Sequence, residues 1–174
     1  MSEYLKSKIA RVQDFPKKGI LFYDLTPIFS DGAAFSELIL QLEKLAHRFM
    51  PFDKIVGIEA RGFIVGSALA LACDVGFVPI RRCGKLPGVT HRIAYDLEYG
   101  QGCIEIHQND IMPSERILIV DDILATGGTA FAAAELIRDC GAQVAGFIFV
   151  ASIAGLQKEP IAEPDKIACL MELP

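Results

Sequence analysis

From residue 31 onward the apolar side chains Phe35, Leu38, Ile39, Leu42, Leu45, Ala46 and Phe49 recur at intervals of three and four, the spacing of one helical face. Ser30 or Asp31 stands where an N-cap belongs and Pro51 where the helix must stop, so the pattern predicts an amphipathic helix with one buried face. A short β-branched run at 54–59, an apolar stretch at 62–73 and a second short apolar run at 76–81 follow. Strand, buried helix and strand in that order predict a right-handed parallel crossover. The alternation resumes with a strand at 116–121, a helix at 128–140 closed by Gly141, a strand at 143–150 and a weaker one at 167–171. Ahead of this regular part, 2–12 reads as a short polar helix, and Phe15, Pro16, Lys17, Lys18 and Gly19 break the periodicity, so 1–30 reads as an N-terminal flap. Residues 83–111 differ in kind: glycines 84, 88, 100 and 102 are interspersed with tyrosines and charges, and only 103–107 reads as a strand. This stretch is expected to be a long flexible loop with hairpin edges. The whole predicts a single α/β domain over 1–174, its mostly parallel sheet flanked by helices on both faces.

Composition narrows the function classes. A chain of 174 residues, 52% hydrophobic, can bury a core without disulfides or a structural metal. Its net charge of −5 opposes a nucleic-acid backbone or an anionic membrane, so a bound anion needs a local cationic pocket. No uninterrupted run of about 18 apolar residues is present. The first residues lack the apolar stretch of a signal peptide, which makes the cytoplasm the expected location. The five cysteines are odd in number and lack metal-ligand spacing, so reduced thiols are expected, and no metal site made of protein side chains. His47, His91 and His107 form no recognisable catalytic constellation.

The most informative segment begins where the apolar run from Ile117 ends in Asp121 and Asp122, then passes through Ala125, Thr126, Gly127, Gly128 and Thr129. Two carboxylates inside a strand would cost several kcal/mol each in desolvation, which places them at its carboxyl end, facing a solvated ligand. Paired glycines within a helix would lose about 1 kcal/mol apiece, so they suit a tight loop at a helix start. There, free N–H groups and the Thr126 and Thr129 hydroxyls can cradle a phosphate. Carboxylates beside a phosphate loop suit a diol near a phosphomonoester, as in ribose 5-phosphate. The loop lacks the lysine of a P-loop and the spacing of a dinucleotide fold. A plain capped helix start and a metal site on the two aspartates are the competing readings.

Residues 120–129 resemble the phosphoribosyl-diphosphate motif of the type I phosphoribosyltransferases. Three further stretches narrow the resemblance: 57–63 (Gly, Ile, Glu, Ala, Arg, Gly, Phe), 84–88 (Gly, Lys, Leu, Pro, Gly) and 96–100 (Asp, Leu, Glu, Tyr, Gly). With 15–27 they resemble the adenine phosphoribosyltransferase family over nearly the whole chain. The resemblance implies the type I fold with an N-terminal hood, and transfer of phosphoribosyl from phosphoribosyl diphosphate to adenine, giving AMP and diphosphate. It also implies Mg²⁺ bound mainly through the diphosphate and water, and a homodimer.

Residue by residue, the resemblance assigns the turn at Ala60 and Arg61 to the leaving diphosphate, together with Arg81 and Lys85. These two stand in a basic cluster with Arg82, which could otherwise be a solvated turn. Glu98 is expected to handle the proton at N7 of adenine, and Tyr99 to close over the reacting sugar. Leu21, Phe22 and Tyr23 are expected to form the base pocket, with Tyr23 stacking where many relatives carry arginine or lysine. Asp24, Thr26 and Pro27 read as a structural turn anchoring the flap, and Glu105 as an outward-facing residue of an alternating strand. A 6-oxopurine transferase and a noncatalytic phosphoribosyl-diphosphate sensor are the alternatives.

Overall fold

A computed structural model describes residues 3–96, 101–156 and 166–174, with the side chain of Asp96 undescribed. The chain opens with α1 (Glu3–Lys8), β1 (Ala10–Gln13) and β2 (Leu21–Asp24), then α2 (Thr26–Phe29) and α3 (Gly32–Ala46), which a 3₁₀ turn at His47–Phe49 prolongs. Next come β3 (Lys54–Ile58), α4 (Arg61–Ala72), β4 (Gly76–Arg82), β5 (Thr90–Asp96), β6 (Gln101–His107), β7 (Arg116–Leu124), α5 (Gly128–Asp139), β8 (Gln143–Ile153) and β9 (Ile167–Leu173). Asp31 is the N-cap of α3 and accepts the N–H groups of Ala33 and Ala34, satisfying donors that a helix start leaves orphaned.

The main sheet runs β5-β6-β4-β3-β7-β8-β9. β3 pairs in parallel with β4 and β7, as β8 does with β7 and β9, while β6 pairs antiparallel with β4 and β5. Successive β3 residues feed opposite faces: Ile55 belongs to the core cluster that includes Leu38 and Leu42 of α3 and Val65 and Leu69 of α4, and Val56 to the one that includes Ala133, Leu136 and Ile137 of α5. The sheet is therefore covered on both sides, as the alternating pattern predicts. Strand order reverses at β3, with β4 on one side and β7 on the other, and this switch point places a crevice at the carboxyl ends of β3 and β7.

Four expectations change. The polar helix expected over 2–12 ends at Lys8, because 10–13 instead pair antiparallel with 21–24 as a separate ribbon. The hairpin expected within 83–111 is present and more extensive than the single strand at 103–107: β5 and β6 pair antiparallel over seven residues each, and β6 joins β4. Its alternating tyrosines and charges are those of a sheet margin, which gives no continuous apolar run. The expectation of five reduced thiols is corrected, since Cys83 and Cys103 form a disulfide, leaving Cys73, Cys140 and Cys169 free. These two residues are far apart in sequence, and the antiparallel β4–β6 pairing brings their Cα atoms within 5.4 Å. Finally, β7 does not end at Asp121: it continues to Leu124 along β8, although its pairing with β3 stops at Val120.

Candidate active site

Asp121 and Asp122 lie beyond the last β3 pairing, so they reach the crevice without leaving the strand. They are less solvated than expected, Asp122 being only 2% exposed. Local hydrogen bonds offset part of that burial: Asp122 N–H donates to Asp121 Oδ1 at 2.9 Å, and Ile123 N–H to Asp122 Oδ1 at 2.8 Å. Arg61 Nε stands 2.7 Å from Asp122 Oδ2, an ion pair by distance. Its direction falls short of a hydrogen bond, so this buried oxygen keeps an unfilled acceptor position. Burial, then the neighbouring Asp122 charge, hold the Asp121 carboxyl well above its ordinary value. Burial raises Asp122 too, against the opposing pull of Arg61.

Past Leu124, residues 125–129 turn into α5 around a recess of about 100 Å³ lined by Asp121, Ala125, Thr126, Gly127, Gly128 and Thr129. Gly127 is the N-cap, with φ of 90°, and a Cβ there would lie 2.7 Å from the Phe131 ring. A left-handed backbone and a crowded site both require glycine. The first N–H groups of α5 border this recess, the arrangement that binds phosphate at helix starts. Thr129 Oγ1 donates to Tyr95 Oη at 3.2 Å, which ties the 125–129 turn to β5.

The third wall is the turn from β3 into α4. Its Glu59–Ala60 peptide is cis, and Gly62 brings α4 against β7 where a Cβ would meet Asp121 Oδ1 and Val120 O. Arg61 reaches from this turn in two directions. One is the ion pair with Asp122, and the other is the face of Phe22, whose ring centre lies 5.3 Å from the guanidinium carbon. Phe15 meets Phe22 edge-on at 5.1 Å. Leu21 is 38% exposed, whereas Tyr23 turns the other way. Its ring is 3% exposed among core residues and its hydroxyl donates to Pro174 O at 2.6 Å, so the expectation that Tyr23 stacks on a base is corrected. Alternation along β2 explains this: Phe22 faces Arg61, and its neighbour must face the core. Asp24 anchors the adjoining turn by accepting the N–H and hydroxyl of Thr26.

At the opposite side, a cleft of about 460 Å³ is lined by residues including Glu59, Arg82, Cys83, Tyr95, Cys103 and Thr129. The basic cluster beside it is partly neutralised. Glu59 accepts Arg81 Nε and Nη2, each at 3.2 Å, and the Arg82 N–H at 2.8 Å. Those bonds, the one from Arg81 foremost, hold the Glu59 carboxyl below its usual value. Arg82 and Lys85 are exposed. Glu98 and Tyr99 lie outside the described residues.

The Phosphoribosyl transferase domain model matches residues 39–171. An adenine phosphoribosyltransferase of Sorangium cellulosum is 53% identical over 152 residues, covering 86% of this chain and 74% of that protein. The crystal structure of adenine phosphoribosyltransferase from Rhodothermus marinus superposes with a TM-score of 0.90 at 42% identity, over 98% of this chain and 97% of that one. The enzyme from Saccharomyces cerevisiae, solved with D-2,5-dideoxy-2,5-imino-altritol 1,6-bisphosphate and adenine, gives 0.83 at 42% identity, over 86% of this chain and 87% of that one. The chain belongs to the adenine phosphoribosyltransferase family.

For a phosphoribosyltransferase, the fold brings the carboxylate pair, the 125–129 loop and the Arg61 turn to one crevice, with Phe22 of β2 against Arg61. Three participants escaped the sequence reading. Glu59 was seen only as part of a motif, although its place opposite Arg81 follows from the parallel β3–β4 pairing. Tyr95 gave no local signal, because its partner Thr129 is 34 residues away. Glu105, expected to face outward, is fully buried. Strand alternation does put it opposite Ile104 and Ile106, but the 84–90 segment folds over that face and supplies its hydrogen bonds.

Proposed function

We propose that the chain transfers the 5-phosphoribosyl group of phosphoribosyl diphosphate to N9 of adenine, giving AMP and diphosphate, a purine-salvage reaction. The observation that carries this reading is the convergence of the 125–129 loop, the Asp121–Asp122 pair and Arg61 at the switch point. The 5-phosphate would occupy the loop, taking hydrogen bonds from N–H groups at the start of α5 and from Thr126 and Thr129. The ribose hydroxyls would donate to the two carboxylates, filling the open acceptor position of Asp122 Oδ2. Diphosphate would then face the turn at Ala60 and Arg61, with Arg81 and Lys85 near its outer end.

As N9 attacks the anomeric carbon, charge moves onto the departing diphosphate, and fixed cations and N–H groups at that end stabilise the change. Adenine would enter beside Phe22 and Leu21, the aromatic face supplying stacking and the flap backbone reading the base edge. Glu98 is assigned the labile proton at N7, and Tyr99 a part in closing the site, on the strength of the family motif alone.

Mg²⁺ belongs to this proposal as a companion of the substrate. Among the described residues no group of three or more His, Cys, Asp or Glu side chains could hold a metal, and the two aspartates suit one only alongside phosphate and water ligands. Bound there, the ion would supply charge neutralisation to the diphosphate. The proposal includes a homodimer, supported by Ile64 and Leu71, which lie seven residues apart on α4 and are 42% and 84% exposed. It also includes a cytoplasmic location. No helix among the described residues is long and apolar enough to cross a membrane.

The test is diphosphate release from phosphoribosyl diphosphate and Mg²⁺, with adenine, hypoxanthine, guanine and xanthine supplied separately. Release with adenine alone is expected. Release with a 6-oxopurine instead would overturn the base assignment, and tight phosphoribosyl diphosphate binding without release would favour a sensor.

A further inference from the structure

Glu105 is a carboxylate fully shielded from solvent, with no place in the reaction as described. Among the described residues only Glu105 and Asp122 are buried charged side chains, and Glu105 is 0% exposed. Burying a carboxylate is costly unless its oxygens are occupied, and here both are. Oε1 accepts the Lys85 N–H at 2.8 Å and the Leu86 N–H at 2.9 Å. Oε2 accepts the Thr90 hydroxyl at 3.2 Å and pairs with Arg92 Nε at 2.9 Å. Burial on its own would raise this carboxyl, but the Leu86 and Lys85 N–H groups, then Thr90 and Arg92, outweigh it and hold it below its ordinary value.

These bonds serve one segment. Residues 84–89 leave β4 and return to β5, with their ends fixed by ladder contacts: Cys83 N–H to Cys103 O at 3.1 Å, and Gln108 N–H to Val89 O at 3.2 Å. Between those ends, the Glu105 carboxylate reaches across from β6 to two consecutive main-chain N–H groups. One belongs to Lys85, two residues beyond Cys83 at the rim of the 460 Å³ cleft. Glu105 also stands opposite Arg81 in the β4–β6 register.

We infer that Glu105 is a positioning residue for diphosphate recognition, acting through the main chain of Lys85 and Leu86 to fix where the Lys85 ammonium leaves the loop. The inference rests on the proposed role of Lys85 at the diphosphate. Glu105 itself touches no substrate. Without it the segment would still be tied at both ends, but the cation would sample many positions and lose the preorganisation that makes a fixed charge effective.

The test is a double-mutant cycle on the full chain, with initial rates measured while phosphoribosyl diphosphate and adenine are varied in turn. Glu105→Ala should raise KM for phosphoribosyl diphosphate roughly tenfold, the scale of losing hydrogen bonds to a charged group, and leave KM for adenine within about twofold. Glu105→Gln should recover most of that loss, since its carbonyl oxygen can still accept both N–H groups. Lys85→Ala should raise the same KM, and the double variant should be no worse than the poorer single one. A folded Glu105→Ala variant with unchanged KM, or full additivity with an impaired Lys85→Ala, would overturn the inference and leave the role of Lys85 standing. An unchanged KM in Lys85→Ala would overturn that role and the inference with it. Should Glu105→Ala fail to fold, Glu105→Asp enters the same cycle: it keeps the charge, is too short to reach the segment, and must show the same KM split or refute the inference.

Discussion

Replacing Gly62 by alanine should push α4 away from β7, and the structure sets the scale. An added Cβ would lie 2.8 Å from Asp121 Oδ1, 3.0 Å from Val120 O and 3.4 Å from Asp121 Cα. None of these atoms yields easily. Val120 O and Asp121 Cα belong to a central strand paired on both sides up to that point, and Asp121 Oδ1 is held by the Asp122 N–H. Relief therefore requires α4 to lift from β7 by roughly half an ångström, an overpacking cost of about 1–3 kcal/mol. For a domain of this size that lowers the melting temperature by roughly 3–10 °C. The same movement carries Arg61 away from Asp122, now 2.7 Å apart, so KM for phosphoribosyl diphosphate should rise about tenfold. Gly32→Ala is the control, since a Cβ there meets nothing within 4 Å. Thermal melts and initial rates on both variants decide the matter. A Gly62→Ala protein melting within about 1 °C of the parent, with unchanged KM, would refute close packing at this turn as the reason for glycine.

The carboxylate pair predicts a pH effect of unusual sign. Asp121 is pushed from 3.8 up to about 8, so the folded chain binds more protons than the unfolded one between those values. That contribution is complete below about pH 4 and is lost as pH rises towards 8. The ligand-free chain should melt lower at pH 8 than at pH 5, and Asp121→Asn should flatten the slope; parallel curves would sink the assignment. Glu59, Glu105 and Asp31 are held low and act with the opposite sign, losing their contribution as the pH falls. Arg61→Gln removes the cation beside buried Asp122 and should destabilise by about 1–3 kcal/mol at pH 8, discounted for the exposure of Arg61, and by less at pH 5. Equal losses at both pH values in denaturant titrations would contradict the ion pair. Thiol titration of the denatured chain should find three reactive cysteines without reductant and five after reduction, and five at the outset would exclude the Cys83–Cys103 bond.

What the sequence made legible follows from how far each signal reaches along the chain. The α3 helix, the β3–α4–β4 crossover and the glycine turn into α5 are written in contiguous stretches of the chain, through periodicity, capping and φ > 0 chemistry. Tyr23 and Glu105 were misread for a common reason. Alternation along a strand says that neighbours face opposite ways, but which face is covered depends on segments distant in sequence. On β2 the core lies on the Tyr23 side, so the ring expected over the base is packed inside. On β6 the 84–90 segment covers the side that looked like solvent, turning an ordinary surface glutamate into a buried acceptor. Cys83 and Cys103 belong to the same class, because only the β4–β6 pairing makes them neighbours.

Arg61 shows why the site works as one unit. Motif matching assigns it to the leaving group, yet its guanidinium is already engaged by a buried carboxylate on β7 and an aromatic ring on the flap. It therefore joins β7 to the β1–β2 ribbon across the crevice. On the proposed binding mode, a ribose donating to Asp122 would compete for the charge that holds Arg61, and a base beside Phe22 would meet the ring on which Arg61 rests. That tie to Asp122 spans the contact between α4 and β7, which Gly62 permits by having no Cβ.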